Sequence, residues 1–174
     1  MVITGRYDHV IDDKGRLAIP ISIRNAMDSE RDGSVFYLVQ ETRYLVLIPE
    51  RLFEQLAIQA PAGLMPGAEV AKVRRYVYSL SSKLEPDKQG RVIIPDGLLR
   101  DSAHPDPLAQ TTLNREVTLV GSGDRIEIWN RADYIAHMRE ATADRASFQA
   151  ALQKMFGGIS PGTGGAAQTV PADN

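Results

Sequence analysis

Six charged side chains in two short stretches carry most of the chemistry this sequence offers. In Asp12-Asp13-Lys14-Gly15-Arg16-Leu17-Ala18-Ile19-Pro20, an aspartate and an arginine bracket a turn with the spacing D-x-x-x-R, and Lys14 lies inside it. In Asp87-Lys88-Gln89-Gly90-Arg91-Val92-Ile93-Ile94-Pro95, Asp87 and Arg91 stand in the same relation, with Lys88 inside. Across a tight turn the two side chains can meet. The carboxylate can accept turn amides and hold the guanidinium in one rotamer. A pre-oriented arginine suits bidentate recognition of phosphate, or of guanine in the major groove. Lys14 and Lys88 add exposed charge of the sign that phosphates attract. One isolated copy would read more simply as a brace for a turn. Two copies in register, each followed by a strand and a proline, reverse that preference.

The duplication extends beyond the turns. Asp, Gly, Arg, Ile and Pro recur at an offset of 75 positions, Asp12 to Asp87. Val35–Pro49 (VFYLVQETRYLVLIP) and Val117–Asn130 (VTLVGSGDRIEIWN) are each a pair of β-rich runs around a polar turn. Phe53 and Tyr134 come after them at matching places, now offset by 81. The second copy therefore carries six extra residues, placed in the loop around His104-Pro105-Asp106-Pro107. One unit has been repeated, and a repeat decides the architecture before any local pattern does.

The turns need strands and helices to hold them, and the chain supplies these in order. Gly5–Ile11 reads as a strand, Asp13-Lys14-Gly15 as a turn, and Arg16–Ile19 as the returning strand of a hairpin. Pro20 ends the pairing and suits a helix start, so Ile21–Met27 is expected to be helical. Glu50–Gln59 is expected to form a helix with Leu52, Phe53, Leu56 and Ala57 on one face. Pro61–Gly67 is a breaker-rich linker. Ala68–Tyr78 is a helix whose Lys72, Arg74 and Arg75 read as a solvated face. Leu80–Glu85 leads into the second phrase, and Asp96 is expected to cap the short helix after Pro95. Arg131–Met138 and Ala143–Phe156 are expected to be helical. From Gly157 the chain lacks large apolar groups and is expected to be disordered.

Composition narrows the class. The 174 residues are 43% hydrophobic and 24% charged, which fits an ordinary globular chain with a real core. Cysteine is absent, so disulfides and thiolate metal sites are excluded. No run approaches a membrane span, the start is not a signal peptide, and a cytoplasmic home is expected. The net charge of −2 excludes a general basic coat, and the acidic excess lies in residues 101–174. Any anion-binding surface must therefore be local. Enzyme readings fare badly: His9, His104 and His137 are scattered, and no H-x-x-x-H pair, Walker-type loop or nucleophile elbow is present. Gly121-Ser122-Gly123-Asp124 sits in a strand-turn-strand pattern and reads as a hairpin turn. Lysine and arginine beside Asp12, Asp13 and Asp87 argue against a divalent cation, and no cofactor is expected.

With DDKGRLAIP, DKQGRVIIP and the segment Leu119–Trp129 (LVGSGDRIEIW) in view, the chain closely resembles the MraZ family, built from two SpoVT-AbrB-type repeats. The resemblance runs from about Arg6 to Met138. It implies a mainly β fold with short helices (α+β), a double-split β-barrel of the swapped-hairpin AbrB type in which two repeats interlock. The expected division is residues 6–53 for the first repeat, 54–80 for a helical connection, 81–138 for the second repeat, 139–156 for a C-terminal helix and 157–174 for the tail. The resemblance also implies a nucleoid-associated, DNA-binding transcriptional regulator that forms homo-oligomeric rings. Its targets would be direct repeats upstream of the division and cell-wall genes. The family's D-x-x-x-R residues map onto Asp12 and Arg16 and onto Asp87 and Arg91. The loop between Asp101 and Asn114 is long for the family. The competing reading is a ring-forming scaffold that binds other proteins and not specific DNA.

Overall fold

The computed structural model describes residues 2–59 and 67–156; the linker and tail expectations for 61–66 and 157–174 fall outside them. Eight strands and six helices succeed one another among the described residues. The first repeat contributes β1 (Arg6–Val10), β2 (Arg16–Ala18), β3 (Phe36–Gln40) and β4 (Leu45–Pro49). The second contributes β5 (Ser82–Leu84), β6 (Arg91–Ile93), β7 (Glu116–Gly121) and β8 (Ile126–Asn130). Helices α1 (Ile21–Ala26), α2 (Ser29–Asp32), α3 (Glu50–Gln59) and α4 (Ala68–Ser79) lie in the first half, and α5 (Arg131–Ala143) and α6 (Arg145–Phe156) come last.

A six-stranded antiparallel sheet runs in the order β1-β7-β8-β4-β3-β5, beside a two-stranded sheet of β2 and β6. Exchanging the repeats maps the order onto itself. β4 and β8 meet at the centre, and each repeat's first strand lies on the other repeat's third. The mixed α+β, antiparallel character is as the sequence implied. The local hairpin is not. β1 does not pair with β2; it lies along β7, while β2 pairs with β6 through Arg16↔Ile93, Leu17↔Val92 and Ala18↔Arg91. The reason is burial. A lone two-stranded hairpin is marginal in water, whereas the exchange places Leu17 and Val92, both fully buried, in one core with Ile19, Ile94, Leu99 and Leu119.

Strand character obeys the same logic. The apolar run LVLIP of β4 is buried throughout because the strand sits inside the sheet, and β1 alternates because it lies at an edge. Two expectations at the second phrase need correction. Leu80–Glu85 shortens to the three residues of β5. Asp96 caps nothing: the helix there is a single 3₁₀ turn, Asp96–Leu98, entered through Pro95, and the Asp96 carboxylate instead accepts from the Ser102 hydroxyl at 2.6 Å. The long loop after it is tied down. Leu113 is fully buried, its N–H donates to the Leu98 carbonyl, and its own carbonyl accepts from Arg100 N–H.

Contacts divide the chain into two units, Met1–Ile135 and Ala136–Asn174. The first holds both sheets and the core. The described part of the second is the remainder of α5 together with α6, and neither helix contains a buried residue. Among the described residues no helix is long and apolar enough to cross a membrane.

Candidate nucleic-acid interface

Both turns are held by one carboxylate each, in nearly the same way. The Asp12 Oδ1 accepts from the backbone N–H groups of Lys14 and Arg16, each at 2.9 Å. Its Oδ2 accepts from Arg16 Nε at 2.6 Å. In the second turn, Asp87 Oδ1 accepts from the N–H groups of Gln89 (2.9 Å) and Arg91 (3.0 Å), and Oδ2 from Arg91 Nε and Nη2 at 2.8 and 2.7 Å. The expected pairing of carboxylate with arginine is therefore present in both copies. Arg91 uses two nitrogens on its aspartate and Arg16 only one. No group among the described residues accepts from the terminal nitrogens of Arg16. Lys14 and Lys88 are exposed.

The glycines are what let the two turns close on each other. Gly15 and Gly90 have φ of +73° and +75°, a region other residues enter at a cost. Both are buried. The Gly15 carbonyl accepts from Ile94 N–H at 2.8 Å, and the Gly90 carbonyl from Ile19 N–H at 2.9 Å. The turns are thus interlocked corners, and the local hairpin expected of Gly5–Ile11 with Arg16–Ile19 is not formed.

Register then decides where the arginines point. In the β2–β6 pair, Arg16 lies opposite Ile93 and Ala18 opposite Arg91, so these four share one face while Leu17 and Val92 share the buried one. Arg16 and Arg91 are diagonal neighbours, about 7–8 Å apart in such a pair. Their side chains are 31% and 27% exposed. One outward face therefore presents a guanidinium from each repeat.

The hydrogen bonds stabilise both carboxylates as anions. Asp87 is drawn down to about 2, chiefly by the Arg91 side chain and then by the Arg91 amide. Asp12 also lies below the usual carboxylate range, mainly through the Arg16 amide. At neutral pH each turn is a fixed ion pair.

Two arginines that the sequence reading passed over also belong here. Arg24 of α1 donates from Nε to the Ile19 carbonyl at 3.1 Å, and its guanidinium lies against Gly90, where a Cβ would come within 2.6 Å of it. Arg115 donates from Nη1 to the Asp12 carbonyl oxygen at 2.5 Å. Its only sequence signal is its place at the end of the long 101–114 loop. Of the basic cluster on α4, Lys72 and Arg75 are exposed and Arg74 lies 5.3 Å from the centre of the Tyr78 ring.

Residues 79–158, which span the second repeat and both C-terminal helices, match the family model described as "MraZ protein, putative antitoxin-like". A "Transcriptional regulator MraZ" of Salinispora arenicola is 32% identical over 145 residues, which is 83% of this chain and 93% of that protein. The chain belongs to the MraZ family. Two further MraZ regulators agree, from Cutibacterium acnes (32% over 143 residues, 80% of this chain and 92% of that protein) and Moorella thermoacetica (31% over 152 residues, 87% and 94%). The shared length exceeds either repeat, so the likeness to MraZ extends over the duplicated architecture and not one motif. MraZ relatives are named as regulators and not as enzymes.

Proposed function

We propose that this protein is a DNA-binding transcriptional regulator whose contacts come from Asp12, Lys14 and Arg16 in one turn and Asp87, Lys88 and Arg91 in the other. The observation that carries this reading is the common outward face of β2 and β6, where Arg16 and Arg91 are each pre-oriented by an aspartate. A guanidinium held in one rotamer loses less freedom on meeting a phosphate or a guanine edge than a free one does. The strand exchange between repeats supports assigning the fold to the swapped-hairpin, double-split β-barrel of AbrB type, with repeats at 6–53 and 81–138 joined through 54–80. The end of α5 and then α6 follow, two helices where the sequence led one to expect a single helix over 139–156. MraZ membership supports direct repeats upstream of the division and cell-wall genes as the target. It likewise supports a homo-oligomeric ring and a place on the nucleoid in the cytoplasm.

The scaffold reading has one observation of its own. Ile93, directly opposite Arg16, is 62% exposed, and an apolar group on that face also suits a protein partner. A gel-shift titration across salt on the region upstream of the protein's own gene separates the two. A regulator gripping phosphates loses affinity steeply as salt rises, with a slope near 0.9 per contact. Retardation that is absent, or indifferent to salt, would leave the scaffold standing.

A further inference from the structure

The two turns are built alike and supported unequally, and the difference lies in Arg115. Its carbonyl accepts from Ile11 N–H at 2.8 Å, its Nη1 donates to the Asp12 carbonyl oxygen at 2.5 Å, and its Nε donates to Asp101 Oδ2 at 2.8 Å. The Asp12 carbonyl also accepts from Gly15 N–H at 2.9 Å, so the peptide at the start of the turn is fixed from two sides. Among the described residues the second turn has no such support. The position matching Ile11 at the offset of 75 is Pro86, which has no N–H to donate. The position matching Arg115 at the offset of 81 is Ser34, which carries no guanidinium. Among the described residues, the Asp87 carbonyl receives only the Gly90 N–H.

We propose that Arg115, oriented by Asp101, is a positioning residue that locks the first turn and makes Arg16 the dominant anion-contacting arm. The second turn is the adaptable arm. Among the described residues nothing accepts from the terminal nitrogens of Arg16, which leaves them open to a ligand, and a locked backbone beneath it lowers the ordering cost of binding. Arg91 already commits two nitrogens to Asp87, and its turn lacks the outer clamp. The 101–114 loop thereby gains a purpose, because it brings Asp101 to Arg115. This inference rests on the turns being DNA contacts.

The test is a mutant cycle on the full chain, read by fluorescence anisotropy of a labelled duplex spanning the region upstream of its own gene, with thermal midpoints measured in parallel. Losing a hydrogen bond from a charged donor corresponds to roughly ten-fold in an equilibrium constant. Arg115→Gln should therefore raise Kd about ten-fold in the native chain and in Arg91→Gln, and add almost nothing in Arg16→Gln, because it acts through that arm. Asp101→Asn should shift Kd in the same direction by less. It carries the same comparison should Arg115→Gln melt too early for binding to be read. An equal loss on all three backgrounds would overturn the proposal, since Arg115 would then act on DNA directly or through the whole fold. Arg115→Gln without effect, while Arg16→Gln weakens binding, would overturn the clamp and leave the DNA reading intact. Arg16→Gln and Arg91→Gln both binding as before would overturn the contact role of the turns and with it the ranking of the two arms.

Discussion

Arg16 shows how little of a turn's chemistry needs to be buried. Its pairing with Asp12 is partly solvated, so the pair adds little to folding. Arg16→Ala should therefore weaken DNA binding, lower the salt slope by roughly one per lost phosphate contact, and barely move the thermal midpoint. A variant that unfolds, or that binds as before, would mark the pair as a brace. Asp12→Asn is the complementary probe: it removes a charge that repels phosphate, so lost affinity would mean the carboxylate orients Arg16. The pH dependence arises from the same bonds. Both aspartates are more acidic folded than unfolded, so the stability they confer is present above the unfolded value of ~3.9 and is lost as pH falls through the folded values. Binding should not respond to these carboxylates between about pH 5 and 8. Carboxyl NMR titration should place Asp87 at about 2, and a midpoint at the ordinary ~3.9 would show that the Arg91 pairing does not persist in solution.

At the scale of elements, the β2–β6 pair is the piece on which the site depends. Each strand is only three residues long, and the pair is anchored inward by Leu17 and Val92. Leu17→Ala should cost about 2–5 kcal/mol, as large-to-small changes in a packed core do. Equilibrium unfolding in denaturant would measure it, and a loss under ~1 kcal/mol would mean the core there is looser than its burial implies. Gly90→Ala should also destabilise, for a different reason. Its φ of +75° is strained for alanine, and the new methyl would meet the Arg24 guanidinium. DNA affinity should fall together with stability in that variant, because the same turn carries Arg91.

At the scale of the molecule, the exchange of strands makes neither repeat self-sufficient. A chain ending at residue 59 has β1 without β7, β2 without β6 and β3 without β5. Circular dichroism should find that fragment unfolded alone and folded after mixing with residues 67–156; a fragment folded by itself would argue against the interlocked arrangement. On the proposed ring, affinity becomes a property of a larger assembly again. With a net charge of −2, one chain gains no general attraction to DNA, and a few phosphate contacts give only ~10⁻⁴ to 10⁻⁶ M at physiological salt. Linking copies multiplies affinity by ~10² to 10⁴ through effective concentration. DNA with three recognition repeats should therefore bind far more tightly than DNA with one, with the protein's mass in solution measured alongside. A monomer that binds both equally would exclude the ring as the source of affinity.

Features that are local or repeated were legible in the sequence. Turn chemistry placed Asp12 with Arg16 and Asp87 with Arg91, because four residues across a glycine turn leave the carboxylate few other partners. Alternating and continuous apolar runs placed β3, β4, β7 and β8, because burial imposes its period on the chain. Strand pairing emerged only in three dimensions. Local pattern favours the nearest partner, and Gly5–Ile11 with Arg16–Ile19 satisfied every hairpin signal. Pairing across some 75 residues prevailed because it buries Leu17 against Val92 and closes Gly15 and Gly90 onto Ile94 and Ile19, a gain no short window of sequence contains. The inequality of the two turns was equally hidden, since Arg115 meets Asp12 across a separation of 103 residues.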